Sequence, residues 1–270
     1  MLAETILVQP SALFLFAHQD DEFGVFQKIL DEQRLGRRVF CAYLTDGVFQ
    51  GKSSSRRNKE STAVLTQLGV NNDDIYFVGL LLSIPDASLP DHLDEAIYWL
   101  VNWLTGSGAV TAIYLPAWEG GHHDHDALHA MGVMVANERG HLHIVKQYSL
   151  YNAYRCIGPF FRIFNPLVAN GESEVTKIPW SNRIRFIWYC LSYPSQLVTW
   201  IGLFPFVCLH YWFFGTQALQ SVSLERIRQR PHTGSLYYEN RNFYTWEKMQ
   251  YVTLSCRHSI IKSCNTEIVN

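Results

Sequence analysis

Two short segments hold the side chains that can do acid–base or metal chemistry. The first reads Ala17-His18-Gln19-Asp20-Asp21-Glu22. His18 and Asp21 are three residues apart, so a loop entering a helix can turn both toward one point. An imidazole nitrogen and a carboxylate oxygen together suit Zn2+. Asp20 sits between them, cannot share their direction, and is left to hold a proton. The second segment reads Trp118-Glu119-Gly120-Gly121-His122-His123-Asp124-His125-Asp126. Its two glycines allow a tight turn, and His122 and His125 repeat the i,i+3 spacing at a helix start. His125 and His129 are a rival pair, since i,i+4 spacing on a helix also binds zinc. The rival is the weaker one, because His129 points a turn further into the helix. Four of the 11 histidines fall in residues 122–129, which even scatter does not produce.

Both segments must be carried by something rigid, and the first 150 residues supply it. Residues 12–17 read as a fully buried strand, and 23–35 as a helix with the stripe Phe23, Phe26, Ile29, Leu30. Strand 39–44, a Gly/Ser loop at 45–55 and helix 56–68 follow, the helix closed by Gly69. Strand 75–78, helix 91–104, strand 110–115, helix 124–137 and strand 144–150 complete the alternation. Strands separated by helices predict an α/β fold, a doubly wound and mostly parallel sheet covered on both faces. In a strand order such as 3-2-1-4-5, ligands bind beyond the carboxyl ends where strands one and four meet. The two chemical segments are the loops that leave those two strands. The first loop has no G-x-G-x-x-G, so a dinucleotide is excluded and a metal favoured.

The rest of the chain has a different texture. Of 270 residues 48% are hydrophobic and 17% charged, against about 25% charged in an average domain. That excludes a disordered chain. A net charge of −2 offers no basic excess for a nucleic-acid partner. Residues 186–224 contain no Asp, Glu, Lys or Arg and are crowded with aromatics. This stretch has three readings: a layer packed on the sheet, a membrane span interrupted by Pro194, Gly202 and Pro205, or an interfacial element on a bilayer. The division expected is a catalytic core at 1–155 and an aromatic-rich C-terminal extension at 156–270, packed together as one structural domain. The six cysteines form no Cys-x-x-Cys and read as scattered buried thiols of a cytoplasmic protein. The first five residues carry an acid and no base before the apolar run, so no secretion signal is expected.

AHQDDE, the LTDG at 44–47, Arg57-x-x-Glu60 running into Leu68-Gly69, and GGHHDH together resemble the PIG-L/LmbE-like zinc-dependent N-deacetylases, over roughly residues 12–150. Gln19 and His123 stand where that family usually has proline; neither is a ligand position. The resemblance implies a Rossmann-like fold and one Zn2+ on His18, Asp21 and His125, with Fe2+ able to use the same ligands. It implies Asp20 as general base, His122 facing the oxyanion and leaving group in protonated form, and Asp124 orienting a histidine. The activity it implies is removal of the N-acetyl group from an N-acetylglucosamine-type sugar or glycoconjugate, free or lipid-linked. Two alternatives stay open. One is an amidase releasing a larger acyl or thiol-conjugate group from a sugar amine. The other is a non-catalytic sugar- or membrane-binding module. Asp46, Arg57 and His123 are candidate substrate contacts. Each has a plainer reading: an Asx turn for Asp46, an Arg57–Glu60 surface pair, and a merely exposed His123. The protein is expected in the cytoplasm, with peripheral membrane contact through residues 186–214.

Overall fold

β1 (Ser11–Phe16) has no exposed face. Leu13 and Leu15 point into one apolar layer, and Ala12, Phe14 and Phe16 into the other. A strand covered on both sides reads as an unbroken apolar run, which is why 12–17 shows no alternation. The structure is a computed structural model and describes residues 9–48, 53–158 and 160–267. The leader-free start expected at residues 1–5, and positions 49–52 of the 45–55 loop, lie outside the described residues.

After β1 the chain makes a 3-10 turn (Asp21–Gly24) before α1 (Phe26–Arg34). The helix thus starts later than its apolar stripe suggests. β2 (Arg38–Tyr43), α2 (Ser54–Gln67), β3 (Ile75–Phe77), α3 (Val78–Leu82) and α4 (Leu93–Gly106) follow. Then come β4 (Val110–Pro116), α5 (His123–Glu138), β5 (Val145–Tyr148), and a small hairpin of β6 (Tyr151–Asn152) and β7 (Arg162–Ile163). The remainder is β8 (Ser173–Lys177), α6 (Trp180–Cys190), α7 (Leu197–Phe213), β9 (Thr216–Ser221), α8 (Tyr237–Asn240) and α9 (Trp246–Glu267).

The main sheet has the order β3-β2-β1-β4-β5-β9-β8. Its first five strands are parallel, in the expected 3-2-1-4-5 order. β1 and β4 are therefore neighbours, and the chain leaves them in opposite directions. β9 and β8 lie beyond residue 155 and are hydrogen-bonded antiparallel onto the β5 edge of this same sheet. Helices α4, α5 and α9 pack on one face through Ile97, Leu128, Met131, Met249 and Val252. Helices α1, α2, α6 and α7 cover the other through Phe26, Leu65, Phe186 and Leu203. Cys41, Cys190 and Cys256 are buried, Cys156 and Cys208 half-buried, and these five are unbridged; the Cys264 side chain lies outside the described residues.

Candidate active site

The carboxyl end of β1 is locked by Asp21. Its Oδ2 accepts from the backbone N–H groups of Ala17 (3.0 Å) and His18 (2.8 Å), which turns the chain back on itself. Asp20, inside this turn, takes a left-handed backbone with φ 116°. That strain is held by the Asp20 N–H donating to Glu22 (3.0 Å) and by Glu22 accepting from the Tyr193 hydroxyl (2.9 Å). The turn leaves Asp21 Oδ1 facing outward, 3.0 Å from His125 Nε2.

Across the β1–β4 switch point, His122 caps α5 by accepting the Asp124 N–H at Nδ1, 3.2 Å. Gly121 precedes it because a Cβ there would lie 2.2 Å from the Tyr151 carbonyl. His125 then falls on the first turn of α5. His18 Nδ1 stands 3.3 Å from His125 Nε2 and 3.6 Å from Asp21 Oδ2. Three side chains from two distant loops thus converge: His125 Nε2 lies 3.0 Å from Asp21 Oδ1 and 3.3 Å from His18 Nδ1, and the other Asp21 oxygen, Oδ2, lies 3.6 Å from His18 Nδ1. A tetrahedral ion with bonds of about 2.0–2.2 Å sets its ligand atoms about 3.3–3.6 Å apart; one donor atom from each of the three lies within 4.8 Å of the others, so the set is within reach of such an ion. His18, Asp21 and His125 are all buried.

The other nitrogen of His18 fixes its tautomer. Nε2 donates to Asp124 Oδ2 at 2.9 Å and lies 3.2 Å from Asp86 Oδ1. With that proton committed, His18 in its neutral form presents the lone pair of Nδ1 to Asp21 and His125. Carboxylate–histidine pairs orient metal-binding imidazoles in this way. Asp124 is itself fixed, accepting from the N–H groups of Ala87 (2.8 Å) and Leu89 (3.0 Å). His18, Asp86, His122 and Asp124 form a second donor cluster around the opposite side of the same ring.

The electrostatics follow from burying many carboxylates together. Burial, reinforced by Asp21 and Glu22, pushes the Asp20 carboxyl up to about 8 although Arg57 opposes it. Asp21 goes the other way: burial would raise it, but His125 and His18 hold it well below the usual carboxylate range. Asp86 is likewise held low against burial by His18 and Arg57. Burial would lower His18, yet Asp86 and Asp124 keep it well above its ordinary value. The pocket therefore calls for positive charge. Burial first, and then His18, push His122 well below its ordinary value. A helix N-terminus also disfavours an imidazolium. Burial thus favours the neutral form of His122, with Nδ1 accepting the Asp124 N–H and Nε2 left as the nitrogen to carry a hydrogen. Burial works against the protonated form of His122 that the resemblance implies.

The remaining predicted residues are placed as follows. Asp46 Oδ1 accepts from the Val48 N–H at 2.7 Å, the Asx turn of its plainer reading. Arg57 is 3% exposed and donates to Gly47 O (2.6 Å), Asp86 (2.9 Å) and Gln19 O (2.9 Å). The Gln196 amide oxygen, correctly oriented, takes its Nε at 2.7 Å. The guanidinium ties together the loops after β1, β2 and α3. It does not pair with Glu60, which binds Arg56 at 3.1 Å. His123 is buried rather than exposed, with its ring between His122 and Tyr244 and its Nε2 donating to Ala87 O at 2.9 Å. His129 belongs to neither donor cluster among the described residues, and its Nδ1 donates to Pro116 O at 2.8 Å. Asp86 went unnoticed in the sequence; its only signal there is a Pro85-Asp86 turn. Glu119 was also missed. It accepts from Leu150 N–H (2.7 Å), Tyr151 N–H (3.0 Å) and Asn152 Nδ2 (3.1 Å), and clamps the β4 loop to the β5 loop.

Residues 13–136 match the sequence model of the PIG-L family, described as GlcNAc-PI de-N-acetylase. No curated protein matches the chain. Among solved structures, the deacetylase of the A40926 pseudoaglycone is 18% identical, with a TM-score of 0.59 over 83% of this chain and 99% of that one. A teicoplanin deacetylase in its zinc-inhibited form is 15% identical, with a TM-score of 0.57 over 77% of this chain and 97% of that one. The N,N'-diacetylchitobiose deacetylase from Pyrococcus horikoshii is 15% identical, with a TM-score of 0.50 over 79% and 82%. At these identities the likeness is one of fold.

Proposed function

With residues 13–136 a PIG-L family region, we propose that the chain is a metal-dependent hydrolase that removes the N-acetyl group from an N-acetylglucosamine-type sugar. The observation that carries this reading is the convergence of His18 Nδ1, Asp21 and His125 Nε2 within 3.0 to 3.6 Å, flanked by Asp20 and His122. The matched family is described as a de-N-acetylase. The structural neighbours include a teicoplanin deacetylase in a zinc-inhibited form, the A40926 pseudoaglycone deacetylase and an N,N'-diacetylchitobiose deacetylase. In our reading residues 1–155 form the catalytic core, and 156–270 an extension that completes its walls.

His18, Asp21 and His125 would hold the ion, Zn2+ in our reading. When bound, it supplies a water of lowered pKa and polarises the amide carbonyl. The chain's own residues do the rest. Asp20, made more basic by burial, takes the proton of the attacking water. His122 donates its Nε2–H to the oxygen that gains charge as the carbonyl carbon becomes tetrahedral. Neutral imidazole suits this task, because it stabilises the oxyanion without first having to be charged. Asp20 then returns its proton to the sugar nitrogen as the C–N bond breaks. Acetate and a free amine leave, and Asp20 is again a carboxylate. Asp124 keeps the His18 lone pair aimed throughout, and Arg57 keeps Asp20 and Asp86 in register.

The test is metal content and acetate release measured together on a panel of N-acetylglucosaminyl compounds. One bound ion per chain and chelator-sensitive acetate release support the reading. Release of a larger acid in place of acetate would shift it to a general sugar amidase. A chain that takes up no metal would overturn it.

A further inference from the structure

Helix α7 is apolar on every side, and such a helix belongs in a core or in lipid. Only one of its faces is in the core. Trp200, Leu203, Val207 and Tyr211 are buried there at helical spacing. The opposite stripe of Val198, Ile201, Leu209 and Trp212 is 81%, 68%, 52% and 62% exposed. On α6, Trp180, Ile184 and Trp188 form a second stripe, each more than half exposed. The Trp180 and Trp212 rings meet at 5.7 Å, edge to face, and join the two stripes into one patch. Single exposed apolar residues are ordinary; a contiguous surface of this kind marks an interaction site.

We propose that the α6–α7 face is a peripheral membrane-docking surface that seats on an anionic lipid bilayer. The choice of lipid rests first on charge. Residues 175–224 contain Lys177, Arg183 and Arg185 but no Asp or Glu, in a chain whose net charge is −2. None of the three is ion-paired among the described residues, and cations beside an apolar face favour anionic headgroups. Second, the patch carries three tryptophans, the residue that settles at the boundary between headgroups and acyl chains. Third, residues 194–213 are long and apolar enough to cross a membrane, yet only 28% of that segment is buried.

The helix lies on the bilayer and does not cross it. The Tyr211 hydroxyl donates to Phe23 O at 3.3 Å, and Trp200 packs edge-on against Phe23 at 5.3 Å. Spanning would strip these contacts from the core, whereas seating leaves them intact. The surface lies outside the 13–136 family match, and the proposal does not depend on the hydrolase reading. It does orient the candidate site. Gln196, just before α7, holds Arg57. An aromatic series runs from Phe206 through Phe161 and Tyr151 to His125, with ring centres 5.6, 6.1 and 5.7 Å apart.

The experiment is flotation of the full chain with phosphatidylcholine vesicles, with and without phosphatidylglycerol, read alongside tryptophan emission. The wild type should float with the anionic vesicles, less with neutral ones, and its emission should shift to the blue. The Val198→Asp/Ile201→Asp double variant should bind about tenfold or more weakly. Trp212→Ser should weaken binding in the same direction and serves if the double variant fails to fold by circular dichroism. The proposal is overturned if the wild type stays unbound with every vesicle, or if folded variants float as well as it does. It is equally overturned if the chain is a dimer that Val198→Asp/Ile201→Asp splits, since a second copy then covers the face.

Discussion

Replacing Asp124 by Asn tests whether a residue that is not itself a ligand still sets the metal affinity. In the wild type the Asp124 carboxylate accepts from His18 Nε2 (2.9 Å), Ala87 N–H (2.8 Å) and Leu89 N–H (3.0 Å). His18 Nε2 and the Ala87 N–H share Oδ2, while the Leu89 N–H takes Oδ1, so the Asn amide oxygen keeps most bonds by standing at Oδ2. Its NH2 then opposes the Leu89 N–H. His18 Nε2 keeps an acceptor but loses the negative charge that strengthens this bond and raises the basicity of Nδ1. Changes to such orienting carboxylates cost about 10–100-fold in metal affinity, or about 1.4–2.7 kcal/mol. Asp124→Ala would confound the test by orphaning two buried N–H groups at about 1–3 kcal/mol each, a large share of a total stability of about 5–15 kcal/mol. The assay is a Zn2+ titration of the apo-protein against a competing chelator, with thermal unfolding of the apo form as control. Asp124→Asn should bind Zn2+ at least about tenfold more weakly, while its apo form loses about 1–3 kcal/mol from the one backbone N–H left without an acceptor. A folded Asp124→Asn with unchanged affinity would refute the argument that the Asp124 charge strengthens His18 as a ligand.

Asp20→Asn should keep one metal per chain but lose about 10²–10⁴-fold in turnover, read by metal analysis and acetate release on the same preparation. Arg57→Ala leaves Asp86 without its 2.9 Å partner in a buried setting; breaking a buried ion pair costs about 3–5 kcal/mol, measurable by urea unfolding. His129 gives a pH signature. Burial lowers it from 6.5 to about 4 in the folded chain, so between those values the unfolded state binds a proton that the native state refuses. Stability is therefore full above pH 6.5 and declines as the pH falls toward 4, by about 3 kcal/mol. His129→Gln, which can still donate to Pro116 O, should remove about that much of the difference between urea unfolding at pH 7.5 and at pH 4.5.

The parallel core was legible because its signals are local. The apolar run at 12–17, the helical stripe after it, and Gly69 at a helix end each express a constraint within a few residues. The same holds for His18 with Asp21 and for His122 with His125, whose spacing alone turns each pair to one side. That the two pairs meet also follows from strand order, since the alternation of strands and helices makes β1 and β4 neighbours. Beyond residue 150 the local signals fail. β8 and β9 are strands by virtue of the β5 edge they pair with, and their sequences carry no alternation strong enough to show it.

What the sequence determined by itself, then, is the sheet and the two loops that bear the donor atoms. The tertiary structure decided how those atoms are set. His123 is buried because Tyr244, more than a hundred residues away, lies flat on its ring. Asp86 reaches His18 because the loop before α4 is stitched to the start of α5 through Asp124. Arg57 became a strut because three loops and Gln196 present it with acceptors. The apolar composition of α7 is plain in the sequence, but which of its faces stays uncovered is not. Periodicity records which side chains share a face of an element. Which face meets a neighbour, and which nitrogen of an imidazole carries the hydrogen, depends on groups that only folding brings within hydrogen-bonding distance.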